Sequence, residues 1–180
     1  MSRSEVSKNS LPALPPTSNP SPELQKTGPV DVVSNAECAD CCDKIKLVPV
    51  NLPGKGDTYL DESFAPKVQS MIDNAKANGV DVIFVSGYRT PEEQALLRKN
   101  PRAITPAENS LHSCGFAVDI TRDLWADKSK LDIVREAAEK AGLRWGGDFR
   151  KYDPPHFYAD PPIERKQAIK CAEEQYNKIK

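Results

Sequence analysis

The sequence predicts an α+β fold, in which helices pack against a small, mainly antiparallel sheet within a single domain. Three observations support this class. The 180 residues with 38% hydrophobic content provide material for one core. Helix and strand patterns alternate irregularly along the chain, without a regular succession of strand and helix. The segments with strand character are too short and too few for a doubly wound parallel sheet.

The first 35 residues are predicted to form a disordered tail or linker, followed by a folded domain at 36–180. This segment is rich in proline and serine and has few large apolar side chains. Such a segment cannot bury enough surface to offset the entropy of ordering it. No apolar run of signal-peptide length follows Met1, and no stretch is long and apolar enough for a membrane span. We therefore expect synthesis in the cytoplasm without a standard export signal, and no membrane insertion.

Charge and cysteine content narrow the class of protein further. The formal net charge of -1 gives no indication of binding to nucleic acid or to an anionic membrane surface. Cys38, Cys41 and Cys42 form a cluster, but no second pair of ligands follows at the spacing of a zinc knuckle. The spacing leaves two states open: free thiols in a reducing compartment, or one or two disulfides in an oxidising one.

The first predicted helix begins near Ser63, and a predicted strand follows it at Val80–Val85. Pro66 lies in the first turn of this helix and Gly79 just past its end, as is typical of helix boundaries. The strand segment is rich in β-branched residues. One helical stripe collects the apolar residues Phe64, Val68, Met71, Ile72 and Ala75. Met71 in this stripe is interpreted as core packing rather than as a functional residue.

A sharp corner is predicted between this strand and the next helix. Thr90 is placed as the helix cap, and Glu93 three residues later completes a capping box. Arg89 would therefore lie on a short, fixed turn, where its guanidinium can offer two donors to an oxyanion or a carboxylate. The alternative is a surface salt bridge from Arg89 to Glu92 or Glu93.

A loop at residues 98–109 contains two prolines and no periodicity, and we expect it to line a cleft. It leads into Ser110–Asp119, where apolar and other side chains alternate as in a half-buried strand from position 116 onward. Gly115 permits a sharp turn before the strand, which would bring His112 beside Asp119. The alternative is an ordinary polar histidine in a loop.

Two further helices and a short strand are predicted in the C-terminal half. Leu131–Ala141 has an apolar stripe ended by Gly142. Leu143–Trp145 is a short strand, in which Trp145 is interpreted as a core anchor or cleft wall rather than a sugar-stacking platform. The last helix, at residues 163–180, is expected to pack on the outside of the domain.

Both histidines of the chain lie in dense polar segments, the second in Asp153-Pro154-Pro155-His156. Two prolines favour polyproline II, which repeats every three residues and would direct Asp153 and His156 to the same side. A catalytic zinc requires three protein ligands and one open position. His112, Asp119 and His156 can supply the ligands, and Asp153 remains as general base. Asp148 is a competing candidate for the base, without a fixed spacing to a ligand.

Three segments together resemble the zinc peptidases that include D-alanyl-D-alanine carboxypeptidases and phage L-alanyl-D-glutamate endolysins. They are Ser86-Gly87-Tyr88-Arg89-Thr90 with Gln94, the Ser110–Asp119 block, and the Asp153–His156 block. The resemblance implies a small α+β fold with a zinc cleft that binds the peptide stems of bacterial peptidoglycan. It also implies that Arg89 steadies the substrate and transition state. The residues expected to shape the substrate pocket are Tyr88, Gln94, Ser110 and Trp145.

Within this family, the carboxypeptidase branch typically has Glu-Pro-Trp-His where this chain has Asp153-Pro154-Pro155-His156. The endolysin branch has Asp before the histidine and a Trp-Gly-Gly-Asp block. Both features are present in this chain, the second at Trp145–Asp148. The expected function is therefore zinc-dependent cleavage of the L-Ala-D-Glu bond or one nearby, by a phage lysis enzyme or a secreted antibacterial toxin. The alternatives are a D-alanyl-D-alanine carboxypeptidase and a non-catalytic zinc-binding module. Action in the periplasm or cell wall would require delivery by a holin, a phage particle or a secretion carrier, and a toxin would have an immunity protein.

Overall fold

The computed structural model describes residues 41–97 and 106–180, and the predicted tail at 1–35 lies outside them. Within these ranges the chain forms five α-helices and six β-strands, which confirms the predicted α+β class. The helices are α1 (Ala65–Ala77), α2 (Pro91–Leu97), α3 (Arg122–Trp125), α4 (Lys128–Lys140) and α5 (Arg165–Ile179). The strands are β1 (Leu47–Leu52), β2 (Gly56–Asp61), β3 (Phe84–Ser86), β4 (Ala117–Ile120), β5 (Arg144–Trp145) and β6 (His156–Tyr158).

The central sheet has the order β3-β4-β6-β5, and each neighbouring pair is antiparallel. In its register, Asp119 lies opposite Ser86 on one side and His156 on the other. Paired residues project to the same face of a sheet, so these three side chains share one face. Strands β1 and β2 form a separate antiparallel hairpin.

The opposite face of the sheet contributes to the hydrophobic core. Val118 and Phe157 form a directly opposed pair and are both fully buried. Helices α1 and α4 pack against each other, and Met71 of α1 and Val134 of α4 belong to the same buried cluster. The predicted role of Met71 in the core is therefore confirmed.

Helix α2 begins where the capping residues in the sequence predicted it. The predicted capping box is present: the Thr90 amide donates to the Glu93 carboxylate at 2.9 Å, and the Glu93 amide donates to Thr90 Oγ1 at 3.2 Å. The strand predicted at Val80–Val85 is shorter and later, because the amide of Val80 still bonds to the end of α1. The β1–β2 hairpin was not predicted; the turn residues at 53–56 marked it, but Pro49 interrupts the strand pattern.

Helix α5 packs on the outside of the domain through one buried face, in agreement with the prediction. Ala168, Cys171 and Ala172 are fully buried, and α5 packs against the 3₁₀ turn Leu111–Cys114. The small side chains of the predicted stripe, Ala168 and Ala172, allow this close approach. No helix among the described residues has the length and apolar character needed to cross a bilayer.

A disulfide links Cys42 to Cys171, which are separated by 129 positions in sequence. It joins the 3₁₀ turn Cys41–Lys44 to α5. Cys114, by contrast, is a buried free thiol. The cysteine spacing left free thiols and disulfides open as alternatives. The described part of the chain contains a disulfide between distant positions.

Candidate metal centre

Three predicted ligands meet on one face of the central sheet, opposite the face of Val118 and Phe157. The 3₁₀ turn Leu111–Cys114 holds His112, and Gly115 ends this turn with a left-handed φ of 79°, as predicted. Strand β4 then places Asp119 beside His156 of β6. Their candidate donor atoms all lie within 4.8 Å of one another.

The donor atoms form a nearly equilateral triangle. His112 Nε2 lies 3.2 Å from Asp119 Oδ1 and 3.2 Å from His156 Nδ1, and the third edge, between His156 Nδ1 and Asp119 Oδ1, measures 3.1 Å. Tetrahedral zinc with bonds near 2.0–2.1 Å requires donors separated by about 3.3 Å. The spacing therefore fits a tetrahedral ion with three protein ligands and one open position.

The orientation of His112 is fixed by a hydrogen bond on its far side. Its Nδ1 lies 2.8 Å from the carbonyl oxygen of Gly87. A carbonyl only accepts hydrogen bonds, so Nδ1 must hold the proton and Nε2 presents its lone pair to the site. Metal-binding histidines commonly have such a partner, which sets the tautomer of the ring.

The electrostatics favour the ionisation states that bind metal. Burial lowers the pKa of His112, and the Arg89 guanidinium acts in the same direction against the opposing influence of Asp119. Burial alone would raise the pKa of Asp119, but the neighbouring imidazoles of His112 and His156 and the Arg89 guanidinium hold it well below its usual range. The site therefore contains a neutral His112 and an ionised Asp119, as metal coordination requires.

Asp153 lies at the edge of this cluster, on the turn that precedes β6. The turn is closed by the His156 amide, which donates to the Asp153 carbonyl at 3.2 Å, so the predicted polyproline II conformation is wrong. Burial raises the pKa of the Asp153 carboxyl; His156 and Arg89 lower it, and Asp119 raises it. The Asp153 carboxyl is therefore close enough to the candidate ligands for their charges to act on its pKa.

Arg89 is held by several partners inside the site. Its Nε donates to Ser86 Oγ and its Nη1 to Gln94 Oε1, both at 2.8 Å. Its Nη2 pairs with Asp119 and lies 3.3 Å from His112 Nε2. The alternative of a surface salt bridge to Glu92 or Glu93 is therefore not what the structure shows.

The four residues predicted to shape the substrate pocket have different surroundings. Gln94 is buried and bonded to Arg89, so it acts on the site through that guanidinium. Ser110 is buried at the start of the turn that holds His112. Tyr88 packs its ring against Tyr176 of α5, 5.0 Å between centroids, and burial raises the pKa of its phenol.

Trp145, the fourth of these residues, is half-buried rather than part of an open platform. Its indole N–H donates to the carbonyl of Pro154 at 2.9 Å. The guanidinium of Arg135 lies 4.0 Å above the ring centroid. These contacts agree with the interpretation of Trp145 as an anchor.

Sequence reasoning did not identify the aromatic wall beside His156. The Tyr158 ring is stacked on His156 with 5.5 Å between centroids, and Phe149 lies 4.9 Å from Tyr158. Phe149 is 37% exposed and also faces His156 at 5.8 Å. The period of two between His156 and Tyr158 could have revealed their common face, but the strand β6 was not predicted.

The fold and the donor cluster define a small α+β domain with a candidate His-Asp-His metal site, and comparison with known proteins specifies the family. A family model described as D-alanyl-D-alanine carboxypeptidase matches residues 103–159. The peptidoglycan L-alanyl-D-glutamate endopeptidase CwlK of Bacillus subtilis (strain 168) is 30% identical over an alignment 132 residues long, with coverage of 58% of this chain and 78% of that protein. The chain therefore belongs to the D-alanyl-D-alanine carboxypeptidase family of peptidoglycan peptidases, as the resemblance predicted.

Among the solved structures, one alignment supports this fold. The LdcB LD-carboxypeptidase aligns with a TM-score of 0.52 and 23% identity, covering 72% of this chain and 73% of that one. The L-Ala D-Glu endopeptidase ChiX of Serratia marcescens aligns with a TM-score of 0.40 and 24% identity, covering 53% of this chain and 79% of that one. The first alignment supports the shared α+β fold.

Proposed function

We propose that this protein is a zinc-dependent peptidoglycan hydrolase that cleaves a stem-peptide bond, with the L-Ala-D-Glu bond as the first candidate. One observation supports this most directly: three metal donors form a triangle that the Arg89 guanidinium contacts, and Asp153 lies on the turn that leads into His156, one of the donors. A merely structural zinc site is usually closed by a fourth protein ligand. Here three protein donors lie next to groups suited to acid–base chemistry.

Zinc is the metal that this donor set favours, with His112, Asp119 and His156 as ligands. Two imidazole nitrogens and one carboxylate oxygen are ordinary zinc ligands, and the donor spacing fits tetrahedral geometry. When bound, zinc supplies Lewis acidity, which polarises the scissile carbonyl and makes a water molecule more acidic.

The remaining steps belong to the side chains around the metal. Asp153 takes a proton from the attacking water and delivers it to the departing amine, so one carboxyl group serves both halves of the reaction. Burial raises the pKa of Asp153 above the ordinary carboxyl value, which is the direction that proton exchange with water and amine requires. Arg89 donates hydrogen bonds to the developing oxyanion or to a substrate carboxylate, and Ser86 and Gln94 orient it.

The choice of bond depends on few residues. Asp153 in place of glutamate, the Trp145–Asp148 block and the similarity to CwlK favour the endopeptidase branch over a D-alanyl-D-alanine carboxypeptidase. Digestion of purified peptidoglycan followed by mass spectrometry of the new termini tests this choice. We expect new L-alanine carboxyl and D-glutamate amino termini, whereas release of D-alanine alone would support the carboxypeptidase.

Dependence on the metal has its own test. A chelator should abolish hydrolysis, and added zinc should restore it. Elemental analysis of the chelated protein provides the control, because full activity in a protein shown to lack metal would contradict the proposal. A non-catalytic zinc-binding module, the alternative from another class, would bind the metal without hydrolysing peptidoglycan.

We place the enzyme's action in the periplasm or cell wall, as a phage lysis enzyme or a secreted antibacterial toxin. Production in the cytoplasm alone, without a permeabilising partner, should leave the host cell intact, while targeting to the periplasm should lyse it. Lysis from the cytoplasm alone would contradict this placement. A holin encoded nearby would favour the phage enzyme, and an immunity protein that binds the cleft would favour the toxin delivered by a secretion carrier.

A further inference from the structure

In the turn from Asp153 to His156, both backbone N–H groups and the carbonyls of residues 153–155 form hydrogen bonds. The Asp153 amide donates to Gly146 at 3.1 Å, and the Asp153 carbonyl accepts from His156 at 3.2 Å. The next two residues are prolines and have no N–H to offer. Their carbonyls accept from the indole of Trp145 at 2.9 Å and from the amide of Ile120 at 3.0 Å. Among these four hydrogen bonds, only the one from Trp145 comes from a side chain.

The indole itself has a fixed position. Arg135 of α4 covers one face of the ring at 4.0 Å, and Tyr152 meets it edge-on at 5.9 Å. The ring also passes so close to Gly147 that an added Cβ there would lie 2.2 Å from Trp145 Cη2. Helix α4 is thereby connected, through Arg135 and the indole, to the turn at Asp153.

Gly146 allows the segment 145–147 to approach the Asp153–His156 turn closely. A Cβ at Gly146 would lie 2.7 Å from the Asp153 carbonyl oxygen and 2.8 Å from His156 Cβ. The backbone at 145–147 is therefore in direct contact with the residues on both sides of the proline pair. Pro154 is buried, so its carbonyl would have no ready access to water if the indole N–H were removed.

We propose that Trp145 is a positioning residue: its indole N–H fixes the Asp153–His156 turn and so sets the distance between the base and the metal ligands. This inference rests on the proposed function and deepens it, because it assigns Trp145 a role other than contact with substrate. His156 is also fixed by its pairing with β4, while Asp153 precedes the strand and depends more on the turn. Loss of the indole donor should therefore affect Asp153 more than the metal site.

The test replaces Trp145 with 3-benzothienylalanine, which preserves the shape of the ring system but has sulfur in place of the N–H. We expect kcat on peptidoglycan to fall roughly ten- to a hundredfold, with KM and zinc affinity little changed, because misplacing a catalytic group has effects of this size. A fluorotryptophan at the same position retains the N–H and should restore kcat. The matched control is 3-benzothienylalanine at Trp125, whose ring also lies beneath an arginine, and it should leave kcat unchanged.

Hydrogen exchange gives a readout that does not depend on activity. In the benzothienylalanine protein the His156 amide, which closes the turn, should exchange roughly tenfold faster than in the wild type. Unchanged exchange together with unchanged kcat would overturn the proposal, and so would a rise in KM alone, since that would indicate contact with substrate. If the wild-type protein hydrolyses no peptidoglycan, the proposed function fails, while the exchange result still decides whether Trp145 holds the turn.

Discussion

Asp153 is the residue on which the proposed chemistry depends most. We predict that Asp153→Ala retains zinc while hydrolysis falls by at least about two orders of magnitude, the usual contribution of a general base. Zinc content by elemental analysis and initial rates on purified peptidoglycan measure the two quantities. Asp148→Ala is the matched control, because Asp148 is exposed and was the competing candidate. Unchanged turnover in Asp153→Ala would remove this residue from the mechanism.

His112 should make the metal-free protein sensitive to acid. Its pKa is lowered in the folded state by burial, so below its ordinary value of 6.5 the unfolded chain binds a proton that the folded chain does not. The free energy of unfolding should therefore decrease as the pH falls below about 6.5. Urea unfolding in the presence of a chelator at several pH values measures this slope.

The variant His112→Gln cannot take up that proton, so its stability should depend less on pH in the same range. An equal slope in both proteins would show that other groups cause the acid sensitivity. In the zinc-loaded enzyme, protons compete with the metal for the ligands, and activity and zinc occupancy should fall together below roughly pH 6.

At the scale of single residues, the sequence was informative because the chain has few histidines and their spacing to carboxylates is short. His112, Asp119 and His156 do meet, and the turn at Gly115 has the expected conformation. The hydrogen bonds that orient these residues were not predictable. Their partners, such as the carbonyl of Gly87, are backbone atoms that every residue possesses and that only the folded chain brings near.

At the scale of secondary-structure elements, the end of the 3₁₀ turn Leu111–Cys114 packs closely against the β1–β2 hairpin. Gly115 ends it at φ 79°, and an added Cβ would lie 2.8 Å from the amide nitrogen of Asp61 and 2.7 Å from Leu47 Cδ2. Gly115→Ala should therefore lower the free energy of unfolding by about 3 kcal/mol, combining backbone strain with overpacking. It should also weaken zinc binding, because the turn contains His112.

Gly142→Ala provides the matched comparison. Gly142 has a similar φ of 72°, but a Cβ there would meet nothing within 4 Å. This variant should lose only about 1 kcal/mol from backbone strain and should bind zinc normally. Equal losses of stability in the two variants, measured by urea unfolding, would show that the close approach of the β1–β2 hairpin to Gly115 is unimportant.

Elements with marked ends were predicted well, and so were strands β4 and β5, whereas the β1–β2 hairpin and strand β6 were not. Helices α1, α2 and α4 have prolines, capping residues or a terminal glycine in sequence, and each lies close to its predicted position. Strand β6 has three residues and exists because β4 and β5 pair with it on both sides. A pattern of three residues is too short to predict a strand without knowledge of those neighbours.

For the whole molecule, the Cys42–Cys171 disulfide makes stability dependent on the redox environment. A link between positions so far apart in sequence restricts the unfolded chain strongly, and its loss should cost roughly 2–5 kcal/mol. We predict that replacing both cysteines with serine lowers the melting temperature by roughly 5–15 °C. Reductant should lower the melting temperature of the wild type by a similar amount and that of the variant much less. Equal melting temperatures in oxidised wild type and variant would contradict this prediction.

The disulfide follows from the fold rather than from the spacing of cysteines, since only the folded chain brings Cys171 of α5 beside Cys42. Because disulfides form and persist mainly in oxidising compartments, it also supports the proposed action outside the cytoplasm. A purification with and without thiol-blocking reagent, followed by mass spectrometry, would show whether the bond is present in cells.

The Cys42–Cys171 disulfide also links the two ends of the chain segment that contains the candidate site. Every candidate site residue, from Ser86 to His156, lies between Cys42 and Cys171 in sequence. If a protease cut one peptide bond in this interval, both pieces would stay attached to each other through the sulfur atoms. A nicked enzyme would therefore migrate as a single band on a denaturing gel until reductant was added, and a cut in an exposed loop would leave the metal ligands on one connected molecule.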